Sequence, residues 1–515
     1  MNVHQIWNEF FDAFGNTRDH DTSAVDRSRN RCCQHPASGL GERMVLLCIF
    51  ASFLAMMTWG ADITSVTSLV HVMFLAAALA LLFRHTSRRE HVPSFTTVLV
   101  FIAAYCPSAL KSIEQGFAVP LRASSEAVSL ALLALVIFLV IAVGTGQVFA
   151  DIFERPAKAV EYLVTAGRPE LGALGFGAAL AVAMIAAFRT GQWSNYAEIV
   201  TVQYGGIRVE LLYYPLIFGF SAAIGRAALK EVIGEKIQAS RAAVLSFLWA
   251  GTIVLLFTTQ SRRMMLGALI LSIAAAFFES KTISMFRAAS VIAGLTLLEG
   301  ILLVGSYLWR QQGPTGNAVD HILTISERSV DLEAAAHSFS QRLTYLWIDS
   351  VTIDHLGTLE GRFDLWDAFS SNVIKATPGL LMPEKYLTKE IVCEDVFDSL
   401  GIYIDLPCTP IAEGLLFGGI GGLVATAVFF GLTLGIVTAL YRRGSFASIA
   451  LAAVTMMPFL LIECSAFPII DASRVSCLVL VLSALFAWPM RFLYEVRMKH
   501  SRTRSTSSPR SGVVF

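Results

Sequence analysis

Charge is scarce in this chain and balanced where it occurs. Of 515 residues only 15% are Asp, Glu, Lys or Arg, and 39 basic residues offset 39 acidic ones. A nucleic-acid-binding surface needs a basic excess, so this composition argues against nucleic acid as a partner. Several catalytic signatures are missing as well. The sequence has no GxxxxGK[ST] run to cradle phosphates, no GxSxG elbow for a serine nucleophile and no HExxH pair for zinc. The eight cysteines include no CxxC spacing, which removes the usual ligand pairs of a zinc site. No internal repeat stands out, so the inverted halves of many transporters have no counterpart here. The first 42 residues mix acids and arginines and lack the basic-then-apolar build of a cleaved leader.

What the chain does have is apolar length. With 55% hydrophobic residues it reads as an integral membrane protein. About twelve apolar runs approach the 20 residues that cross a hydrocarbon core as a helix. They lie near 43–59, 62–83, 94–110, 126–149, 171–188, 211–225, 242–258, 264–278, 288–309, 411–440, 445–463 and 475–490. The expected fold is therefore all-α and polytopic, with a tail at 1–42, helices over 43–309, a long polar loop at 310–410, further helices over 411–490 and a basic tail at 491–515. Placing both termini in the cytoplasm puts about two thirds of the lysines and arginines in short cytoplasmic segments, the bias that sets membrane orientation. The loop is then extracytoplasmic. Cys393 and Cys408 both fall in it, where a disulfide can persist, and spacing alone does not choose between a bridge and two thiols.

A loop of that length is more than a connector. Its first part, 326–355, carries Leu332, Ala335, Ala336, Phe339, Leu343, Leu346 and Trp347 at helical spacing. That pattern predicts one or two amphipathic helices lying against the membrane face. The second part, 357–410, is punctuated by Gly, Pro and Asp and predicts irregular structure.

Charged groups at the rim of a membrane helix are costly and mark candidate sites. Arg262 and Arg263 stand at the outer start of a helix; interfacial snorkelling explains a lone arginine, whereas an adjacent pair points to an anion. Arg342 and Lys385 add two cations from the loop, and guanidinium pairs with phosphate oxygens through two parallel hydrogen bonds. Glu413 lies one turn inside an apolar run, where a carboxylate needs a partner or a task. Asp405 sits just before that run, and His337 and His355 are loop groups able to accept a proton. Pro407 and Pro410 pre-set a turn and a helix start. Gly414, Gly418 and Gly422 repeat every four residues, which predicts a face for close helix packing.

The order of these features resembles the Wzy-type polymerases of O-antigen and exopolysaccharide repeat units. Gln260-Ser261-Arg262-Arg263 is similar to that family's arginine motif at an outer helix start. The stretch from Pro378 through Pro383 to Lys385 is similar to its proline segment ending in a base. Asp405 through Glu413 fits a D-x-P-x-T/S-P-x-x-E pattern. After Glu413 the family often has aromatic-Asn-Phe-Gly, where this chain has Gly414-Leu415-Leu416-Phe417-Gly418. The resemblance covers about 190–422. It implies a C-type glycosyltransferase of the bacterial inner membrane, working on undecaprenyl-diphosphate-linked oligosaccharide at the outer face without metal or cofactor. Membrane lipid, a chain-length regulator and a flippase are the partners it implies. On that reading Arg262, Arg263, Arg342 and Lys385 hold the diphosphate, and Glu413, Asp405 or His337 takes the hydroxyl proton. An O-antigen ligase-like enzyme and a polysaccharide transporter or flippase are the alternatives. Charges kept at the helix rims count against transport.

Overall fold

Hydroxyl side chains decide where the two principal helices start. Ser124 has extended backbone, and its Oγ accepts the Ala127 N–H at 3.1 Å, the pairing expected of a helix N-cap. Thr409 repeats the arrangement with the Ala412 N–H at 3.0 Å, and Pro410 follows as the first helical residue. The computed structural model describes residues 92–98, 100–101, 105, 123–189, 210–233, 239–258, 268, 271–272, 345–359, 409–460 and 468–506. No strand occurs among the described residues. The helices are α1 (Ser125–Ile152), α2 (Glu154–Thr165), α3 (Pro169–Arg189), α4 (Glu210–Ile233) and α5 (Ala239–Thr258). They continue as α6 (Tyr345–Asp354), α7 (Leu356–Leu359), α8 (Pro410–Arg443), α9 (Phe446–Leu460) and α10 (Pro468–Thr506).

The most extensive helix contact is between α1 and α8. Small residues make it close. A Cβ placed on Gly431 would fall 2.5 Å from the Thr145 Cβ and 2.7 Å from the Ala142 carbonyl oxygen. Without a solvent-driven hydrophobic force between helices in lipid, such backbone approach supplies the van der Waals contact. The contacts climb both helices together, from Phe138 with Phe430 to Asp151 with Arg442, so the two run parallel. Phe101, Phe138, Phe430 and Phe459 form a column with ring centroids 5.7, 5.1 and 5.0 Å apart. Pairs of this kind add roughly 0.5–1.5 kcal/mol each beyond area burial. Beside this pair, α4 packs on α5 and α9, and α10 packs on α3.

Among the described residues, four helices are long and apolar enough to cross a membrane: Glu126–Ile152, Pro169–Arg189, Pro410–Arg443 and Val475–Val496. Ser240–Leu256 and Phe446–Met457 are shorter apolar helices. The chain is thus a helical protein with membrane-crossing elements, but the described residues do not yield twelve spans, nor do they delimit one large outer loop. The runs near 43–59, 62–83 and 288–309 lie outside the described residues, and those near 94–110 and 264–278 lie mostly outside.

Two local expectations are corrected. Helix α6 does not lie on a membrane face: Tyr345 through Thr352 are all buried, and the helix packs on α1 and α8. Its sequence, Tyr-Leu-Trp-Ile-Asp-Ser-Val-Thr, has no solvated face, and a helix apolar nearly all round belongs inside. The glycine series of α8 does not form a seam for another helix either. Gly419 takes the left-handed φ of 55°, and the chain doubles back there, so a Cβ on Gly414 would meet the Leu423 Cα at 2.9 Å. In a straight helix eight or nine residues would separate those positions by about 12 Å or more. Helix α10 runs on to Thr506, into the segment expected as a basic tail, and no Gly or Pro interrupts 490–506.

The α1–α8 seam yields a direct test. Gly431→Ala should destabilise the detergent-purified chain by about 1–3 kcal/mol through overpacking. Gly144→Ala, with nothing within 4 Å of the new methyl, should be neutral or slightly stabilising. Thermal unfolding of the two variants side by side checks this, and equal losses would mean that the seam is not close-packed.

Candidate functional site

The site is built on the start of α8. Thr409 holds the first turn in two ways: its Oγ1 accepts the Ala412 N–H at 3.0 Å, and its carbonyl accepts the Glu413 N–H at 3.0 Å. That turn carries Glu413, whose side chain is only 1% exposed. The doubling back at Gly419 presses the same turn against Gly422 and Leu423. A carboxylate is therefore fixed in a packed environment at the end of a candidate membrane-crossing helix.

A second carboxylate lies beside the same turn. Asp349 of α6 is fully buried. Its Oδ2 accepts the Tyr105 hydroxyl proton at 2.8 Å, and its Oδ1 accepts a short hydrogen bond from the Thr409 hydroxyl. The Tyr105 ring is stacked between Phe101 and Tyr345, with centroids 6.1 Å away on either side. Thr409 is thus fully used, donating to Asp349 and accepting from Ala412. Burial pushes the Asp349 carboxyl up from 3.8 to about 7, and hydrogen bonds from Thr409, Tyr105 and the Ala412 backbone pull against that rise.

Five residues further along α6 the arrangement recurs at the other helix. Asp354 accepts both the N–H and the hydroxyl proton of Ser124 at 2.6 Å, and that hydroxyl accepts the Ala127 N–H. Two carboxylates of one short helix therefore hold the capping hydroxyls of α1 and α8. Carboxylates near helix N-termini are also favoured by the helix dipole.

The opposite end of the α1–α8 pair is basic. Arg442 pairs with Asp151 at 2.5 Å and Arg443 with Glu161 at 2.7 Å. Arg226 lies over the Tyr441 ring and donates to the Gly444 carbonyl at 3.5 Å. Arg491 reaches Glu495, Tyr162 and the Ala166 carbonyl, and Arg168 covers the Tyr494 ring. Trp488 donates to the Leu163 carbonyl at 3.1 Å, pinning α10 to the end of α2.

Of the diphosphate-binding and proton-accepting candidates named from the sequence, the structure describes Glu413 and His355. Glu413 is buried in the turn beside Thr409 and Asp349, whereas His355 sits half-buried just after α6. Arg262, Arg263, His337, Arg342, Lys385 and Asp405 lie outside the described residues. Sequence reasoning missed Asp349 and Tyr105. The available signal was a carboxylate inside the apolar run Tyr345-Leu-Trp-Ile-Asp349. Among the described residues no group of three His, Cys, Asp or Glu side chains gathers to hold a metal. No protein-family model matches the chain, and no curated protein or solved structure is significantly similar to it.

The raised Asp349 pKa has a consequence for stability. The folded protein binds this proton more tightly than the unfolded chain, so the contribution is full below about pH 4 and fades as pH rises through about 7. In detergent, the wild-type melting temperature should fall between about pH 5 and about pH 8. Asp349→Asn, which cannot ionise, should flatten that fall. An undiminished fall in the variant would assign the titration to another group.

Proposed function

We propose that the chain is a polymerase of lipid-linked oligosaccharide repeat units, acting at the outer face of the bacterial inner membrane. The observation that carries the reading is Glu413. It closes the D-x-P-x-T-P-x-x-E pattern and is buried in the first turn of α8, ahead of the break at Gly419, on a turn clamped by its own cap. Carboxylates in such positions are expensive and mark functional sites. Orientation supports the same reading: the arginines gather at the far end of the α1–α8 pair, and basic ends favour the cytoplasm. The Glu413 end then belongs outside, where no nucleotide sugars exist and sugars arrive on lipid diphosphate.

The reaction joins a growing glycan to a new repeat unit. A hydroxyl of the incoming lipid-linked unit attacks the anomeric carbon of the glycan, and the bond from that carbon to undecaprenyl diphosphate breaks. The electron pair leaves on the diphosphate oxygen. Glu413 accepts the hydroxyl proton as a general base, with Asp405 and His337 as the other candidates. Arg262, Arg263, Arg342 and Lys385 are assigned to the departing diphosphate, where preorganised cations stabilise developing charge without a metal. A chain-length regulator and a flippase are the partners that this reading suggests.

The test is long-chain polysaccharide in a host deleted for this chain and complemented in trans. Glu413→Gln should abolish long chains at unchanged membrane abundance. Arg262→Ala, Arg263→Ala or Arg342→Ala should cost about a hundredfold where the arginine touches the diphosphate. Normal chains from Glu413→Gln and from all three arginine variants would refute the polymerase reading.

A further inference from the structure

Helices α1 and α8 start in the same way but carry different residues at the turn that follows. In both, a capping hydroxyl accepts the N–H three residues on and donates to a carboxylate of α6. The fourth residue beyond the cap is Val128 in α1 and Glu413 in α8. The α1 clamp is made at the surface, whereas the α8 clamp is buried. Burying an ionisable group to hold a helix start is costly, and the α1 clamp shows that a solvent-facing carboxylate does the same job at lower cost.

We infer that Asp349 is a positioning residue for Glu413, acting through the Thr409 hydroxyl on the turn that carries it. This rests on the reading of Glu413 as the proton acceptor. Asp349 has no exposed surface and both of its oxygens are engaged, so it does not touch substrate. Its effect reaches Glu413 by a short covalent and hydrogen-bonded route. The carboxylate fixes the direction of the Thr409 hydroxyl, that hydroxyl fixes the Ala412 N–H, and the Thr409 carbonyl fixes the next N–H, that of Glu413. Tyr105 holds the second oxygen of Asp349 so that the first stays aimed at Thr409. A base displaced by about 1 Å loses on the order of a hundredfold in rate, so small rotations of this turn matter.

The two clamps provide their own control. Thr409→Val keeps the shape and removes the hydroxyl, Thr409→Ser restores it, and Ser124→Ala removes the equivalent hydroxyl at α1. All are expressed with Glu413→Gln in the deletion host, and polysaccharide chains are normalised to membrane abundance. Thr409→Val should lower long-chain output roughly ten- to a hundredfold, Thr409→Ser should recover most of it, and Ser124→Ala should leave it near wild type. If Thr409→Val does not accumulate, Tyr105→Phe, which removes one donor to Asp349 and no backbone contact, should lower output at normal abundance. Wild-type output from Thr409→Val, or from Tyr105→Phe in its place, beside an inactive Glu413→Gln would overturn the positioning role alone. Equal loss from Thr409→Val and Ser124→Ala would overturn it too, making both clamps plain fasteners. Wild-type output from Glu413→Gln would remove the acceptor assignment and this inference together.

Discussion

The capping hydroxyl of α8 holds this structure's candidate site together, and that of α1 fastens the neighbouring helix start. A helix start leaves N–H groups without intrahelical partners, and where the start is buried, as at α8, no bulk water stands in for them. Ser124 and Thr409 each satisfy one such group, but a hydroxyl used as an acceptor still has a proton to place. Asp354 and Asp349 take those protons. Because both carboxylates sit on α6, one ten-residue helix ties the starts of two parallel helices into a single unit. Removing Asp349 would leave the buried Thr409 and Tyr105 hydroxyls without this acceptor, which costs more than the bonds contributed when made.

The rest of the packing is arranged so that this unit can exist. Glycine and small residues bring α1 and α8 close enough for one short helix to reach both caps. The Phe101, Phe138, Phe430 and Phe459 column fills the space alongside, and Tyr105 extends it toward Asp349 through its stacked ring. The tyrosine is apolar along its length and polar at its tip, the geometry needed to deliver a hydroxyl to a buried acid. At the other end the arginines find carboxylates, ring faces and carbonyls. Acid meets hydroxyl at one end of the bundle, and guanidinium meets acid and aromatic at the other.

Periodicity and apolar length placed several of the described helices. The runs near 126–149, 171–188, 242–258 and 445–463 correspond closely to α1, α3, α5 and α9. Glu413 was legible because a carboxylate inside an apolar run is conspicuous, and Thr409-Pro410 announced the helix start. The fate of 345–354 was not legible. Apolar residues at helical spacing fit an interfacial helix as well as a buried one, and what separates them is whether Asp349 and Asp354 have partners. Those partners, Tyr105, Thr409 and Ser124, lie between 60 and 244 residues away in the chain. Local pattern carries no information about such pairings. The glycine series misled for a similar reason. Four-residue spacing marks one face only while the helix stays straight, and the positive φ at Gly419 ends that condition.

Length is the constraint that explains the break itself. Helix α8 has 34 residues, and unbroken it would extend about 51 Å, well beyond a hydrocarbon core of about 30 Å. The excess would carry Glu413 away from the bundle and into solvent, where a carboxylate needs no partner and gains no special reactivity. Doubling back at Gly419 leaves 420–443 to cross the membrane and returns 410–417 to the protein. The reversal itself is exposed at Gly418, Ile420 and Gly421, whereas the returned segment 410–417 is buried throughout. Helix α10 meets the same excess differently. It has 39 residues and no glycine, and it stays helical through Pro489 and past its candidate membrane-crossing part, Val475–Val496, into Arg497, Lys499, Arg502 and Arg504. One helix folds its surplus inward to bury a carboxylate, and the other carries its surplus on as a basic extension. The difference follows from two adjacent glycines at 418 and 419.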